Sequence, residues 1–306
     1  SSPPHDKLDL HGNHAHGSCK SSSRGLHHKH TLLLNAIEDH AKRAGALVRR
    51  EPATSKVLQN TLTEEQCRSL FLKQPTKAQK AVINTLLADL TSGPQILSDE
   101  KRREFDRRFA ELECKRRSYQ EECVGRRVDL QIIDLNSSPP TEMLVDGTSI
   151  HPTCRSRLKA EIKTTSANIA TDLQNRTVPI PAQARLVGQA VADQTKLKIE
   201  TYALLTALAA KQTADGKRST KVTFIAAVCS TLGEFGPHMF DLQESLVKIY
   251  AGRLEQQCKS TGPRLDGYKI AQLTAEFRSS FKAGVQVAVA KGVATMLLEA
   301  GLPFRK

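Results

Sequence analysis

Tryptophan is absent from this chain, and aromatic residues make up only 4% of its 306 positions. Such scarcity argues against a protein that reads nucleobases by stacking them on aromatic platforms. No run of residues is long and apolar enough to span a bilayer. The N-terminus is polar and lacks the apolar core of a signal peptide. It also lacks a starting Met, so the chain reads as a fragment of something longer. The seven cysteines (19, 67, 114, 123, 154, 229 and 258) are scattered and odd in number. No disulfide framework is visible, and a reducing, intracellular compartment is expected.

What the chain does have is positive charge: 45 Lys and Arg against 32 Asp and Glu give a net +13. That balance favours a polyanionic partner, DNA first and RNA second, held through its phosphates. A soluble basic protein without such a partner is the plainer alternative. Basic residues cluster at Lys42, Arg43, Arg49 and Arg50, and at Lys101, Arg102, Arg103, Arg107 and Arg108. A third cluster is Lys115, Arg116, Arg117, Arg126 and Arg127. With 39% apolar residues the chain has enough material for a packed core.

Residues 1–29 form a His-rich N-terminal zone; eight of the ten histidines lie in the first 40 positions. Residues 31–44 carry Leu33, Ile37, Ala41 and Ala44 at helical spacing, with Gly45 as the stop. ALVRREP reads as a strand ended by Pro52. Residues 60–122 are a charged, helix-favouring insertion, with Thr63 and Gln66 as a capping box and a long exposed helix over 98–122. Two short apolar runs follow, RRVDLQII and EMLVDGTSIHP, joined by the turn-rich LNSSPPT. A long amphipathic helix is expected over 183–211, a strand over 221–229 and helices near 238–257 and 268–299. Without the insertion the order is helix, strand, strand, strand, helix, strand. A mixed sheet with helices on both faces fits that order.

Each apolar run of the hairpin carries one acid, Asp129 and Asp146. Burying two like charges close together raises both pKa values and removes their hydration. A shared cation offsets that cost, and paired strand carboxylates are how a Mg²⁺-dependent nuclease holds its metal. Mn²⁺ would serve as well. Glu51, at the end of the first strand, is a candidate third carboxylate; an ordinary strand-end Glu beside Arg49 and Arg50 is the alternative. On the long helix Val187, Val191, Lys198, Tyr202 and Leu205 share one stripe. A Lys on an apolar stripe either snorkels outward or carries its ammonium to the acids and a phosphate. Near the N-terminus, His14 and Cys19 have a spacing used by zinc sites. Four ligands are needed, so His5, His11 or His16 would have to complete the set. A flexible His-rich tail is the competing reading. His30 is a candidate helix cap or phosphate contact, against a plain surface His.

Taken in order, the motifs are Gly12, His14, Ala15 and Cys19; Lys29 and His30; Ala44 and Gly45; Glu51 and Pro52. They continue with Arg127 and Asp129; Asp146, His151 and Pro152; Lys198 and Tyr202; then Thr223, Phe224 and Gly233. This order resembles the C-terminal endonuclease-like region of non-LTR retrotransposon and reverse-transcriptase-related proteins. The resemblance covers about residues 10–255. It implies a restriction-endonuclease-like (PD-(D/E)XK) fold preceded by a zinc element. It assigns the metal-binding acids to Asp129 and Asp146, with Glu51 as the third. It assigns the lysine to Lys198, with Lys196 as the neighbouring choice. Three departures stand out. The upstream Cys pair of the zinc element is missing, and Thr148 stands where the family has a Lys two residues after the second acid. The 60–122 insertion is the third. No Ala/Tyr-x-Asp-Asp turn is present, so any polymerase region lies upstream of this chain.

The expectation is therefore an α/β protein with a restriction-endonuclease-like mixed sheet flanked by helices, a helical insertion and C-terminal helices. Its domains are the N-terminal segment 1–29, a nuclease-like domain 30–257 and a helical extension 258–306. The expected function is nicking of DNA by a Mg²⁺- or Mn²⁺-dependent hydrolase in an intracellular, nuclear setting, with no membrane partner. In that scheme Asp129, Asp146 and Glu51 bind metal, Lys198 stabilises phosphate charge and Tyr202 positions Lys198. Two alternatives stay open: a catalytically decayed nucleic-acid-binding module, and a mostly helical scaffold with both aspartates on the surface.

Overall fold

The computed structural model describes residues 23–59, 62, 77–91, 127–150, 180–261 and 267–299. In chain order the elements are α1 (Ser23–Ala44), β1 (Leu47–Arg50), α2 (Thr54–Val57) and α3 (Lys77–Thr91). Then come β2 (Leu130–Asp134), β3 (Thr141–Ile150), α4 (Ile180–Ala214), β4 (Lys221–Ser230), α5 (Pro237–Thr261) and α6 (Gly267–Glu299). The four strands form one sheet in the order β1-β2-β3-β4. β2 and β3 run antiparallel, with Leu130 opposite Val145 and Asp134 opposite Thr141. Lys221 N–H donates to Pro140 O and Thr231 N–H to Ile150 O, an equal sequence offset that makes β3 and β4 parallel. The molecule is therefore a mixed α/β protein, a four-stranded mixed sheet flanked by helices.

The β2–β3 turn is built by its own side chains. Asp134 Oδ1 accepts the Asn136 N–H at 2.9 Å and Ser137 Oγ donates to Asp134 O at 3.2 Å. These short polar side chains satisfy main-chain groups that a tight turn leaves unpaired.

The described residues divide into two compact units. One is drawn from Ser1–Leu47, Asp146–Lys198 and Ile225–Lys306, the other from Val48–Val145 and Ile199–Phe224. In the first unit α1, α5 and α6 pack together. Leu33, Ile37, Met239, Leu242, Leu246, Phe277 and Phe281 are fully buried there. Two glycines of α6 allow the close approach. A Cβ on Gly284 would lie 2.7 Å from Cε1 of His40, and one on Gly292 would lie 2.7 Å from Cα of Lys29. His40 fills the resulting space, with Nδ1 at 2.8 Å from Ala36 O and its ring edge-on to Phe277 and Phe281.

In the second unit the sheet closes over a buried ion pair, Arg218 with Glu142. Glu142 also accepts from Gln131 Nε2 at 2.7 Å and from Thr220 Oγ1 at 3.2 Å. Arg218 NH1 donates to Val57 O at 2.5 Å, and Gln212 Nε2 to Leu58 O at 2.7 Å. Those carbonyls end the one-turn helix α2, where no helical partner exists for them.

Several boundaries differ from the sequence reading. α1 begins at Ser23 rather than near residue 31. The extra turns put Lys29, 3% exposed, on the same stripe as Leu33, and a lysine there hides the helical period. His30 is consequently inside the helix and half-buried, so it is not the N-cap. Asp129 is a bend residue just before β2, not a strand residue. Within the 60–122 insertion only residue 62 and α3 are described. The Thr63–Gln66 cap and the 98–122 helix lie outside the described residues.

Candidate functional site

β3 alternates its side chains between two faces, and Asp146 points to the face that α4 meets. Asp146 is 8% exposed. The ammonium of Lys198, from α4, lies 2.5 Å from its Oδ2 and 3.4 Å from Gly147 O. Both side chains are mostly removed from water, 13% exposed for Lys198 and 11% for Asp146. The neighbouring Lys196 is exposed, so of the two lysines named from the sequence Lys198 meets the acid. The helix stripe explains why: Val191, Tyr202 and Leu205 are buried at 2%, 4% and 1% on the same face. The N-terminal half of α4 sits tightly on the turn after β4. A Cβ on Gly236 would lie 2.9 Å from Cγ1 of Val191 and 3.1 Å from Oγ1 of Thr195.

One turn beyond Lys198, Tyr202 donates its hydroxyl to Arg127 O at 2.8 Å. Its ring stacks on Phe224 at 4.8 Å between centroids. Tyr202 thus ties down the main chain two residues before Asp129. Asp129 is half-buried, and its carbonyl accepts the Glu51 N–H at 2.9 Å. Glu51 is exposed and has φ of 39°, a left-handed conformation that a residue with a Cβ adopts only under constraint. Two of the sequence-derived acids, Glu51 and Asp129, are therefore joined through the main chain. Along the β2–β3 ladder Asp129 immediately precedes Leu130, and Asp146 immediately follows Val145; those two apolar residues form one rung.

No protein-family model, curated protein or solved structure matches the chain.

Thr148 sits half-buried in β3 and brings no cation to the strand; the positive charge at Asp146 comes from the helix. Among the described residues no group of three or more His, Cys, Asp or Glu side chains is placed to hold a metal ion. Mg²⁺ commonly takes only one or two carboxylates and completes its shell with water and phosphate oxygens. Asp146 offers the right oxygen donor, but an incoming ion has to share it with Lys198 or displace the ammonium. The zinc candidates His14 and Cys19, with His5, His11 and His16, lie outside the described residues, as does His151.

Two charged groups escaped the sequence reading. Glu142 and Arg218 are buried at 3% and 2%, and Arg218 lies in ADGKRST, a stretch that reads as a solvated turn. Lys29 is the other. Burial lowers its pKa below 10.5, partly offset by the neighbouring Cys229 thiol, whose own pKa burial pushes up to about 12. A leucine-like period broken by one Lys was the only available signal for Lys29.

Proposed function

We propose that the chain is a restriction-endonuclease-like (PD-(D/E)XK) domain of a retroelement-derived protein that hydrolyses DNA phosphodiester bonds. The observation that carries this reading is the Lys198–Asp146 pair. A lysine on the apolar stripe of α4 delivers its ammonium to a strand carboxylate at 2.5 Å. Support also comes from the element order around it: helix, strand, two helices, two strands, helix, strand. Net charge of +13 adds a phosphate-seeking surface.

In this reading Asp129 and Asp146 would hold the metal; Glu51, the third acid expected from the sequence, forms no three-carboxylate group with them. A bound Mg²⁺ or Mn²⁺ would supply charge neutralisation at the scissile phosphate and an activated water. Lys198 donates to the phosphate oxygen on which negative charge builds. The ammonium is held in a water-poor setting, which strengthens that interaction. Tyr202 fixes the adjoining turn of α4 through Arg127 O and Phe224. His14 and Cys19 would belong to a zinc element. A catalytically decayed binding module is the second reading, favoured by the ion pair already formed at Asp146 and by Thr148.

The test is nicking of supercoiled plasmid with Mg²⁺ or Mn²⁺. Lys198→Met is expected to lower the rate by ~10²–10³, the cost of losing one preorganised charge donor. Asp129→Ala and Asp146→Ala are expected to abolish nicking. Cleavage by either alanine variant at the parent rate overturns the assignment. Salt-dependent binding with no nicking, unchanged by chelator, selects the binding module.

A further inference from the structure

In the helical layer of the first unit, Lys42 pairs with Glu38 at 2.6 Å and Arg278 with Glu244 at 2.7 Å. Arg43 and Arg253 form no ion pair among the described residues, yet both are held in place. Arg43, in the last turn of α1, donates from NH1 to Ser280 Oγ at 3.1 Å. Its guanidinium carbon lies 5.8 Å from the centre of the Phe277 ring, on which Tyr250 stacks at 4.6 Å. Ser280 is oriented in turn. His40 Nδ1 is 2.8 Å from Ala36 O, and a carbonyl only accepts, so that nitrogen bears the hydrogen. Nε2 of the neutral ring, 3.3 Å from Ser280 Oγ, then accepts the hydroxyl hydrogen. Ser280 is left with a lone pair for Arg43. Arg253, from α5, reaches the same helix end, where its NH1 donates to Arg43 O at 2.8 Å. Gly45 N–H and Ala46 N–H close that turn on Lys42 O and Ala41 O, both at 3.0 Å, and leave Arg43 O over. The Arg253 stem runs against Gly45, where an added Cβ would lie 2.9 Å from its Cδ.

We propose that Arg43 and Arg253 hold the phosphate backbone of duplex DNA at this end of α1, with Ser280 and His40 as positioning residues for Arg43. All four belong to the first unit. The proposal rests on the DNA partner of the nuclease reading, and on neither its metal nor its cleavage step. Capping Arg43 O engages one of the five N–H donors of Arg253. A cation wanted only for the negative end of α1 would be supplied by Arg253 alone, which leaves Arg43 unexplained. Two guanidiniums brought to one helix end repel each other, and an anion bound there relieves the repulsion. Their planar forks match phosphate oxygens in pairs. Ser280 and the Phe277 ring hold the Arg43 fork before a phosphate arrives, so less side-chain freedom is lost on binding. Membrane attraction generally takes clusters of about four to eight Lys and Arg. Two fixed guanidiniums suit the regular phosphates of a duplex better.

The test is fluorescence anisotropy of a labelled DNA duplex with the full chain in chelator, over a NaCl series, with thermal unfolding of each variant alongside. Arg43→Met and Arg253→Met are each expected to weaken binding about tenfold and to lower the slope of log affinity against log salt by about 0.9. Ser280→Ala keeps every charge, so it should weaken binding about threefold at an unchanged slope. It should cost nothing further in the Arg43→Met background, because its effect runs through that arginine. The exposed Lys291, three turns further along α6, is the charge control, and Lys291→Met should change affinity by less than about twofold. A lower melting temperature with parental affinity and slope in both arginine variants overturns the proposal, as does an equal loss from Lys291→Met. Tighter arginine-dependent binding to duplex RNA, or to phosphatidylglycerol vesicles, overturns the choice of partner. A parent chain that binds no duplex removes the DNA reading and this site with it. Binding without nicking, still lost with Arg43 and Arg253, removes only the nuclease chemistry. Nicking and binding at parental levels in both arginine variants remove only the site.

Discussion

Glu142→Gln, Arg218→Met and their combination form a cycle that weighs the buried pair. The side chains are 3% and 2% exposed, so little water is available to either charge if its partner is lost. Breaking such a pair from one side costs ~3–5 kcal/mol, because the other charge stays buried and uncompensated. Arg218→Met should sit at the high end. It strips Glu142 of its cation and also leaves Val57 O without its donor, a further loss of ~1 kcal/mol or more. Glu142→Gln should sit lower, since Gln131 and Thr220 remain to meet the amide. In the double variant no buried charge is left and Met occupies the guanidinium's volume. Its cost is expected to be only ~1–2 kcal/mol, less than either single change, giving a coupling of at least ~4 kcal/mol. Urea unfolding followed by circular dichroism reads each free energy from midpoint and slope. On heating, each single variant should lose roughly 6–20 °C, from ~3–5 kcal/mol at ~2–4 °C per kcal/mol. Single changes costing under ~1 kcal/mol, or costs that simply add in the double variant, would refute the reasoning.

Two further perturbations probe the first unit. Gly284→Ala puts a methyl 2.7 Å from Cε1 of His40 and should cost ~1–3 kcal/mol by calorimetry. Gly252→Ala, whose Cβ would meet nothing within 4 Å, should gain up to ~1 kcal/mol instead. A gain at both sites would show that α1 and α6 can move apart freely. The buried Lys29 sets a pH dependence. Its folded pKa is depressed below the ordinary 10.5, so the unfolded chain binds more protons and stability rises with pH through that window. Cys229, raised from 9.0 to about 12, acts in the opposite sense only above pH 9.0, where the unfolded thiol ionises. On the approach to pH 10.5 the two act in opposite senses, so Lys29→Met should remove the rising contribution and leave stability falling more steeply with pH there than in the parent; equal slopes would count against the assignment.

Much of the architecture is legible because its elements bury one continuous face. β4 is apolar and β-branched, and α4 repeats its apolar positions at helical spacing, so both are recognisable locally. Lys198 was visible for the same reason, as the one charge on a stripe that includes Val191, Tyr202 and Leu205. The features that were missed depend on distant partners. Arg218 and Glu142 are 76 residues apart in sequence, and neither stretch announces the other. Lys29 interrupts the stripe of α1, which is why the helix appears to start late. Asp129 looked like a strand residue, but the chain bends there, one residue before β2 begins, and its carbonyl accepts the Glu51 N–H.

β3 carries two acids, Glu142 and Asp146, four residues apart and so on the same side of a pleated strand. Each meets a cation, and the two pairings differ in kind. Arg218 reaches Glu142 with a preorganised fork whose other donors are also engaged, and both side chains are closed to solvent. Nothing can replace that guanidinium without unfolding its surroundings. Lys198 is a point charge on a flexible stem, making a single contact to Asp146 and a long one to Gly147 O, with both side chains somewhat less enclosed, at 13% and 11% exposed. An ammonium held this way can exchange for another cation or swing to an arriving phosphate at modest cost. A chain that wanted only stability at Asp146 could have used a second closed arginine pair or no charge at all. A less enclosed lysine pair is what the chemical role proposed for Asp146 calls for.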